Sequence, residues 1–229
     1  MTEFRHPTKG YVFVVTYGRS GSTLLQNLLN TLPDCLVRGE NNNALFPLYR
    51  SWRSLTNSPD IDRMRAAHDT SGPSHPWFGA EMIDTDSYAR SLCKSFARHV
   101  LRPPPHIRLC GFKEIRTIRP KAEFMGFLQF MNSYFPKAHF VFNTRNHADV
   151  VRSSWWRQHD PEEVRQMMAA AERVFADFAK ANPERSVCLH YDDYIRDHTL
   201  FEPLFDLLDA RPPPERMQAV LGTHLSHST

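Results

Sequence analysis

Long apolar runs are absent from this sequence. The longest fall far short of the roughly 20 residues that a transmembrane helix needs, and no signal peptide precedes Tyr11. Paired cysteines are absent too, because the four cysteines are widely spaced without a C-x-x-C motif, and Cys110 and Cys188 lie in apolar runs typical of buried strands. This favours reduced thiols over a disulfide or zinc framework. We therefore expect a soluble, cytoplasmic protein with no membrane span.

A large charge of one sign is also missing. The formal net charge is only +3, which argues against a nucleic-acid-binding surface but allows a local pocket for an anion. The 229 residues include 41% apolar and 23% charged residues, which is typical of an ordinary globular chain. We therefore expect residues 1–229 to form a single domain.

Five short runs have the composition of β-strands. They are residues 11–17, 35–37, 108–112, 139–144 and 187–191. Helical patterns occupy residues 22–32, 84–101, 121–134, 148–157, 161–181, 201–208 and 214–221. Near-continuous apolar strands that alternate with helices predict an α/β fold of three layers, with a central, mostly parallel sheet of about five strands.

Residues 51–105 depart from this alternation. They contain S-P-D, S-G-P-S-H-P-W and R-P-P-P, with few aliphatic residues. We predict an insertion of loops and helices over the sheet, which could serve as a lid on a binding site. A surface insertion without a binding role is the alternative.

The stretch T-Y-G-R-S-G-S-T-L-L at residues 16–25 follows the apolar run Y-V-F-V-V and precedes a leucine-rich helix. A strand, a glycine-bearing turn and a helix are typical of a phosphate-binding loop, so we expect a fold like that of the P-loop NTPases. However, Ser22 occupies the position of the NTPase lysine, and Thr16 occupies that of the first glycine. The loop therefore does not match one that holds ATP and magnesium.

The remaining residues of this loop still suit an oxyanion. Gly18 and Gly21 allow a tight turn, and the hydroxyls of Ser22 and Thr23 lie at the start of a helix, where backbone N–H groups attract anions. Arg19 adds a fixed positive charge with several donors. A serine-capped helix after a tight turn is the alternative.

A second group of residues suggests another anion site. In H-F-V-F-N-T-R-N-H-A-D-V-V-R-S-S-W-W-R, Arg145 ends a predicted strand, where ligands collect in open α/β sheets. Ser153 and Arg157 are four residues apart, so we predict that they share one helix face. Two arginines and a hydroxyl suit a dianionic phosphate. A solvated arginine-rich helix is the alternative, which we prefer for Arg152.

These motifs resemble the sulfotransferase family that uses 3′-phosphoadenylyl sulfate (PAPS), and most of all its tyrosylprotein and Golgi-type branch. In that family a P-R-S-G-T-T-L-like loop binds the 5′-phosphosulfate, and G-R-S-G-S-T-L at 18–24 is similar to it. The resemblance assigns this contact to Arg19, Ser20, Gly21, Ser22 and Thr23. It assigns the 3′-phosphate to Arg145, Ser153 and Arg157, because the family has an arginine followed eight residues later by a serine.

Three weaker matches extend the resemblance along the chain. P-D-C-L-V-R-G-E is similar to a family element whose glutamate is the catalytic base, which implies Glu40. G-F-K-E-I-R is similar to an element whose lysine stabilises the transition state, which implies Lys113. C-L-H-Y-D-D-Y-I-R-D is similar to one whose tyrosine contacts the nucleotide, which implies Tyr191. The C-terminal loop that closes over the 3′-phosphate in many relatives is not apparent.

The resemblance implies in-line sulfuryl transfer from PAPS to a hydroxyl or amine, with 3′-phosphoadenosine 5′-phosphate (PAP) as product and no metal. Glu40 would take the acceptor proton, and Arg19 and Lys113 would stabilise charge. The acceptor could be a saccharide, a lipid or a small metabolite, bound under the lid. Glu114 and His147 are alternative bases, although Glu114 could instead pair with Arg116 and His147 could open the next helix.

Two other functions remain open from sequence. They are a P-loop kinase of small molecules and a non-catalytic nucleotide-binding relative. Trp155 and Trp156 could stack on a base or sugar, and we expect them to pack on the sheet instead.

Overall fold

A sheet of five parallel strands forms the centre of the computed structural model, which describes residues 4–67, 72–119, 121–153 and 155–222. The strands are β1 (Gly10–Val15), β2 (Cys35–Arg38), β3 (Leu109–Glu114), β4 (Ala138–Thr144) and β5 (Ser186–His190). Their order across the sheet is β2-β3-β1-β4-β5, so β1 is central and β2 and β5 are the edges. All five predicted strands are confirmed, and the pairing is parallel throughout.

Ten α-helices lie among the described residues. They are α1 (Ser22–Leu29), α2 (Leu45–Thr56), α3 (Pro59–Ala67), α4 (Thr85–Phe96), α5 (Phe124–Tyr134), α6 (His147–Arg152), α7 (Pro161–Ala181), α8 (Tyr191–Tyr194), α9 (Glu202–Leu208) and α10 (Pro214–Gly222). A π-helical turn, Ala97–Leu101, extends α4.

Alternation along β1 creates the three layers. Tyr11, Phe13 and Val15 point into one apolar cluster with residues of α4, α5 and α7. Val12 and Val14 point into the opposite cluster with the leucines of α1 and the residues of α9. A strand that is buried on both faces needs apolar residues at every position, which is why residues 11–15 read as a continuous apolar run.

One helix that was not predicted overlaps the start of residues 51–105. Helix α2 starts at Leu45, although no helical pattern was predicted there, and α3 and a 3₁₀ turn at Ala80–Met82 follow. Ile61, Met64 and Ala80 form a small apolar cluster of their own. Part of the predicted insertion, residues 68–71, lies outside the described residues.

Two further predictions about this architecture are wrong. The helix predicted at 148–157 ends at Arg152, and Ser153 has an extended backbone with φ −67° and ψ 148°. Its hydroxyl donates to Val150 O at 2.6 Å. Such a local hydrogen bond from a serine side chain competes with the backbone hydrogen bonds that would continue the helix. Cys188 is exposed, because it lies on edge strand β5. None of the helices in the described ranges is long and apolar enough to cross a membrane.

Candidate active site

The loop between β1 and α1 lies at the carboxyl end of the central strand. Arg19 and Gly21 both adopt positive φ, 70° and 80°, and this reverses the chain immediately before the helix. No side chain caps the first turn of α1, within the part of the chain that the structure describes. The N–H groups of this turn therefore point at the space above the loop, where an anion can accept their hydrogen bonds.

Buried polar groups fix the loop to its neighbour strand. The carbonyl of Asn143, on β4, accepts a hydrogen bond from Thr16 Oγ1 at 2.6 Å, and Thr16 Oγ1 also lies 2.7 Å from Ser20 Oγ. The amide of Asn143 donates to Ser20 O at 2.8 Å, and its oxygen accepts from Tyr194 OH at 3.1 Å. Asn143 was missed in the sequence analysis. The signal was an asparagine that directly follows the apolar run F-V-F within a predicted strand.

Arg145 and the loop are in direct contact. Arg145 NH1 donates to Arg19 O at 3.3 Å, and its guanidinium carbon lies 4.6 Å from the centre of the Tyr191 ring. Gly21 also packs closely against the Tyr191 ring, because an added Cβ at Gly21 would lie 2.0 Å from Tyr191 Cδ2. The structure therefore brings together the two arginines and the tyrosine that the sequence assigned to opposite ends of one nucleotide.

The side chain of Arg145 has an acidic neighbour and a nitrogen that makes no hydrogen bond. Its Nε is buried without a hydrogen bond and lies 3.9 Å from Asp192 Oδ1. A cavity of about 370 Å³ opens beside it, between the ends of β4 and β5 and helix α7, with His147, Glu172 and His190 in its lining. Arg145 thus has donor capacity that the protein itself does not use.

Ser153 and Arg157 do not share a helix face, because α6 ends at Arg152, so this part of the predicted geometry is wrong. The side chain of Ser153 bonds to Val150 O, and Arg157 lies in a 3₁₀ turn with its Nε donating to Arg152 O at 2.9 Å. The backbone N–H groups of Trp156 and Arg157 do bond to Ser153 O, which keeps the two residues in one compact turn.

The two tryptophans of this turn contact the loop between β1 and α1. Trp156 also packs against the apolar cluster on one face of the sheet, which agrees with the prediction for that residue. Trp156 Nε1 donates to Gly18 O at 3.1 Å. The ring of Trp155 covers Gly18 so closely that an added Cβ would lie 1.9 Å from its Cζ3, while 42% of Trp155 stays exposed. Glycine is therefore required at position 18 by the close approach of the indole ring.

A second group of charges lies at the ends of β2 and β3. The carboxylate of Glu40 accepts from Lys113 Nζ at 2.6 Å and from Arg116 NH1 at 2.7 Å. Burial alone would raise the pKa of Glu40, but the hydrogen bonds and charges of Lys113 and Arg116 outweigh it and lower the pKa. From the sequence, Arg116 was predicted only as a partner of Glu114, and its contact with Glu40 was not predicted.

Glu114 is fully buried, and both of its oxygens are occupied. Oε2 accepts from the backbone N–H groups of Asn41 and Asn43, at 3.1 and 2.8 Å, and Oε1 accepts from those of Ile115 and Arg116, both at 3.0 Å. The predicted ion pair with Arg116 is present at 3.5 Å. This environment suits a structural anchor and gives an acceptor no path to the carboxylate.

His147 is the first residue of α6, as predicted. Its Nε2 lies 2.9 Å from Glu172 Oε1, on the α7 side of the sheet edge. Lys113 and Glu40 belong instead to the β2 and β3 side of the same edge. The group of charges around Glu40 and the group around Arg145 therefore flank the phosphate loop from opposite sides.

Comparison with protein families gives one match. The model of the sulfotransferase family matches residues 11–201, a segment that includes the phosphate loop and the residues around Glu40 and Arg145. No curated protein sequence matches the chain.

Two solved structures show the same fold, and a third is similar at a lower score. The sulfotransferase domain of the Synechococcus PCC 7002 olefin synthase superposes with a TM-score of 0.60 at 18% identity, over 96% of this chain and 79% of that one. The sulfotransferase domain from the curacin biosynthetic pathway gives 0.56 at 18% identity, over 94% and 78%. Retinol dehydratase, solved with androsterone and PAP, gives 0.43 at 19% identity, over 96% and 64%.

Proposed function

The chain belongs to the sulfotransferase family, and from this premise we propose that it transfers a sulfuryl group from PAPS to a hydroxyl or amine of an acceptor. One observation carries the proposal: Arg145 contacts the phosphate loop at Arg19 O, 3.3 Å away, and stacks on Tyr191. Two anion-binding groups in contact suit a ligand with phosphate groups at two ends, as PAPS has.

The donor would be held through both groups. The N–H groups of the first turn of α1, with the hydroxyls of Ser20, Ser22 and Thr23, would bind the 5′-phosphosulfate together with Arg19. None of the ion pairs among the described residues involves Arg19, which leaves its guanidinium available to the donor. Arg145 would bind the 3′-phosphate through donor capacity that the protein leaves unused, beside Tyr191. We keep Ser153 and Arg157 as additional ligands of that phosphate.

The chemistry needs a base for the acceptor and positive charge for the leaving group. When bound, the donor supplies a sulfuryl group whose S–O bond to the 5′-phosphate breaks, with its electron pair going to that phosphate, as the bond to the acceptor forms. Glu40 would take the proton of the acceptor. Its carboxylate is ionised at neutral pH and can therefore accept a proton, although the lowered pKa makes it a weaker base than an ordinary glutamate. Lys113 and Arg19 would stabilise the developing charge.

We propose that residues 51–105 form the acceptor-binding lid and that the acceptor is a saccharide, a lipid or a small metabolite. The sequence motifs also resemble the tyrosylprotein and Golgi-type branch, in which a further arginine corresponds to Arg157. The solved structures with the same fold are domains of other biosynthetic enzymes, so they do not support that branch.

Calorimetry with PAP tests the donor site. We expect binding without magnesium, an affinity loss of about tenfold or more for Arg145→Ala and a smaller loss for Ser153→Ala. Arg173→Ala is the matched control, because Arg173 is an exposed arginine of α7. Absence of PAP binding, or binding indifferent to Arg145→Ala, would overturn the proposal.

Turnover separates the alternatives. A P-loop kinase would consume ATP with magnesium, whereas the serine at the lysine position of the loop predicts no such turnover. A non-catalytic relative would bind PAP yet transfer nothing to any member of an acceptor panel. Transfer that is lost in Glu40→Gln would exclude both.

A further inference from the structure

Each oxygen of the Glu40 carboxylate has its own cationic partner. Oε1 accepts from Lys113 and Oε2 from Arg116, at 2.6 and 2.7 Å. The two cations occupy different positions, because the Lys113 side chain is 8% exposed and that of Arg116 is 28% exposed. Lys113 therefore lies within the sheet, as part of β3, and Arg116 lies at the rim, just beyond its end.

The proposed reaction gives Lys113 a second role. Its ammonium must also stabilise charge on the group that is transferred, and the N–H groups that it turns towards the donor are lost to Glu40. A carboxylate held by Lys113 alone would then change its orientation when the donor binds. Arg116 has no proposed role at the donor. Its NH1 has one further carboxylate contact, at 3.5 Å from Glu114 Oε1, and its guanidinium has a fixed planar geometry.

We propose that Arg116 is the positioning residue of the general base: it holds Oε2 of Glu40, so that Oε1 stays aimed at the transfer site. This inference rests on the proposed role of Glu40 in sulfuryl transfer. The acceptor proton then goes to Oε1, and Arg116 stays on the opposite oxygen before and after the step.

Buried Glu114 supports both Glu40 and Arg116 through backbone hydrogen bonds. Its carboxylate binds the backbone N–H of Asn41, directly after Glu40, and also the backbone N–H of Arg116. The segment that contains Glu40 and the segment that contains Arg116 are therefore both hydrogen-bonded to one buried carboxylate. Such supporting contacts keep a reactive side chain in position more accurately than a single ion pair does.

Nuclear magnetic resonance can test the inference without an acceptor. The carboxyl signal of Glu40, assigned with Glu40→Gln, is titrated in the unsubstituted protein, in Arg116→Gln and in Arg116→Lys. The charged side chains that face Glu40 are Lys113 and Arg116. We expect an upward shift of the Glu40 titration midpoint in Arg116→Gln, and a return towards the original midpoint in Arg116→Lys, which keeps the charge.

Two further measurements separate positioning from other roles. The affinity for PAP should change less than about twofold in Arg116→Gln, because Arg116 holds the base and not the donor. Arg119→Gln, at an exposed arginine three residues later, should leave the Glu40 midpoint unchanged. An unshifted midpoint in Arg116→Gln, or a loss of PAP affinity as large as that of Arg145→Ala, would overturn the inference. Failure of the unsubstituted protein to bind PAP would overturn the proposed function instead and leave the titration result unaffected.

Discussion

The hydroxyl of Tyr17 accepts a hydrogen bond from the backbone N–H of Arg145 at 3.0 Å. The same hydroxyl donates to Glu172 Oε1 at 2.7 Å, and His147 Nε2 lies 2.9 Å from that oxygen. Burial, followed by the hydrogen bond to Glu172, raises the pKa of Tyr17, so its hydroxyl keeps the proton that it donates. This contact joins the end of β1 to the turn after β4, and so it links the two proposed anion-binding groups.

Replacing Tyr17 with phenylalanine tests that link. The N–H of Arg145 and the carboxylate of Glu172 would each lose a partner in a mostly buried place, which should lower the free energy of unfolding by about 1–3 kcal/mol. Urea unfolding measures this loss, and we expect PAP affinity to fall with it. Tyr88→Phe is the control, because the Tyr88 hydroxyl bonds Ser51 at an exposed position. Equal effects of the two substitutions would show that the link has no special role.

Alanine substitutions at two glycines can distinguish the effect of backbone strain from the effect of contact with the proposed nucleotide site. Gly21 and Gly79 have similar positive φ, 80° and 85°, and alanine at either position should cost about 1–2 kcal/mol for that conformation. The space around them differs: an added Cβ at Gly79 meets nothing within 4 Å, whereas at Gly21 it meets the Tyr191 ring at 2.0 Å.

We therefore expect both alanine variants to lose stability and only Gly21→Ala to lose PAP affinity, because the displaced Tyr191 ring can no longer support Arg145. Thermal unfolding and calorimetry measure the two effects. If Gly79→Ala weakened PAP binding as much as Gly21→Ala, the packing of Tyr191 on the loop could not be the cause.

Sequence alone predicted the sheet well because its signals are local. Each strand is a short apolar run, and residues 11–15 are apolar without interruption since β1 is buried on both faces. The exposure of Cys188 could not be predicted this way, because it depends on β5 lying at the edge of the sheet. The early end of α6 was also hidden, since valines and arginines continue the helical pattern while a single serine hydroxyl ends it.

The candidate site shows a similar division. Glycines, serines and Arg19 before a helix predict a phosphate-binding loop through local chemistry. The strand, turn and helix of this loop are present, and phosphate binding stays a prediction. The link from Arg116 to Glu40 joins residues 76 positions apart, and the one from Thr16 to Asn143 joins residues 127 apart. Such contacts depend on the strand order β2-β3-β1-β4, which cannot be predicted from the types of the residues along the chain.

The lowered pKa of Glu40 predicts how stability depends on pH. A carboxylate whose folded pKa is depressed stabilises the folded state above its ordinary value, here 4.5, and this contribution disappears as the pH falls through the folded pKa. Glu40→Gln removes the contribution and leaves Lys113 without its partner. The difference in free energy of unfolding between Glu40→Gln and the unsubstituted protein should therefore be largest near pH 7 and should shrink as the pH falls below 4.5.

Urea unfolding at several pH values measures this difference. Glu184→Gln is the matched control, because its partner Arg185 lies 3.8 Å away and 69% of the Glu184 side chain is exposed, so little stability should depend on that pair at any pH. A difference for Glu40→Gln that stayed constant from pH 7 to pH 3 would mean that Lys113 and Arg116 do not hold the ionised carboxylate in solution. The proposed role of Glu40 as the base would then need another source of orientation, since the depressed pKa and the two short contacts both come from Lys113 and Arg116.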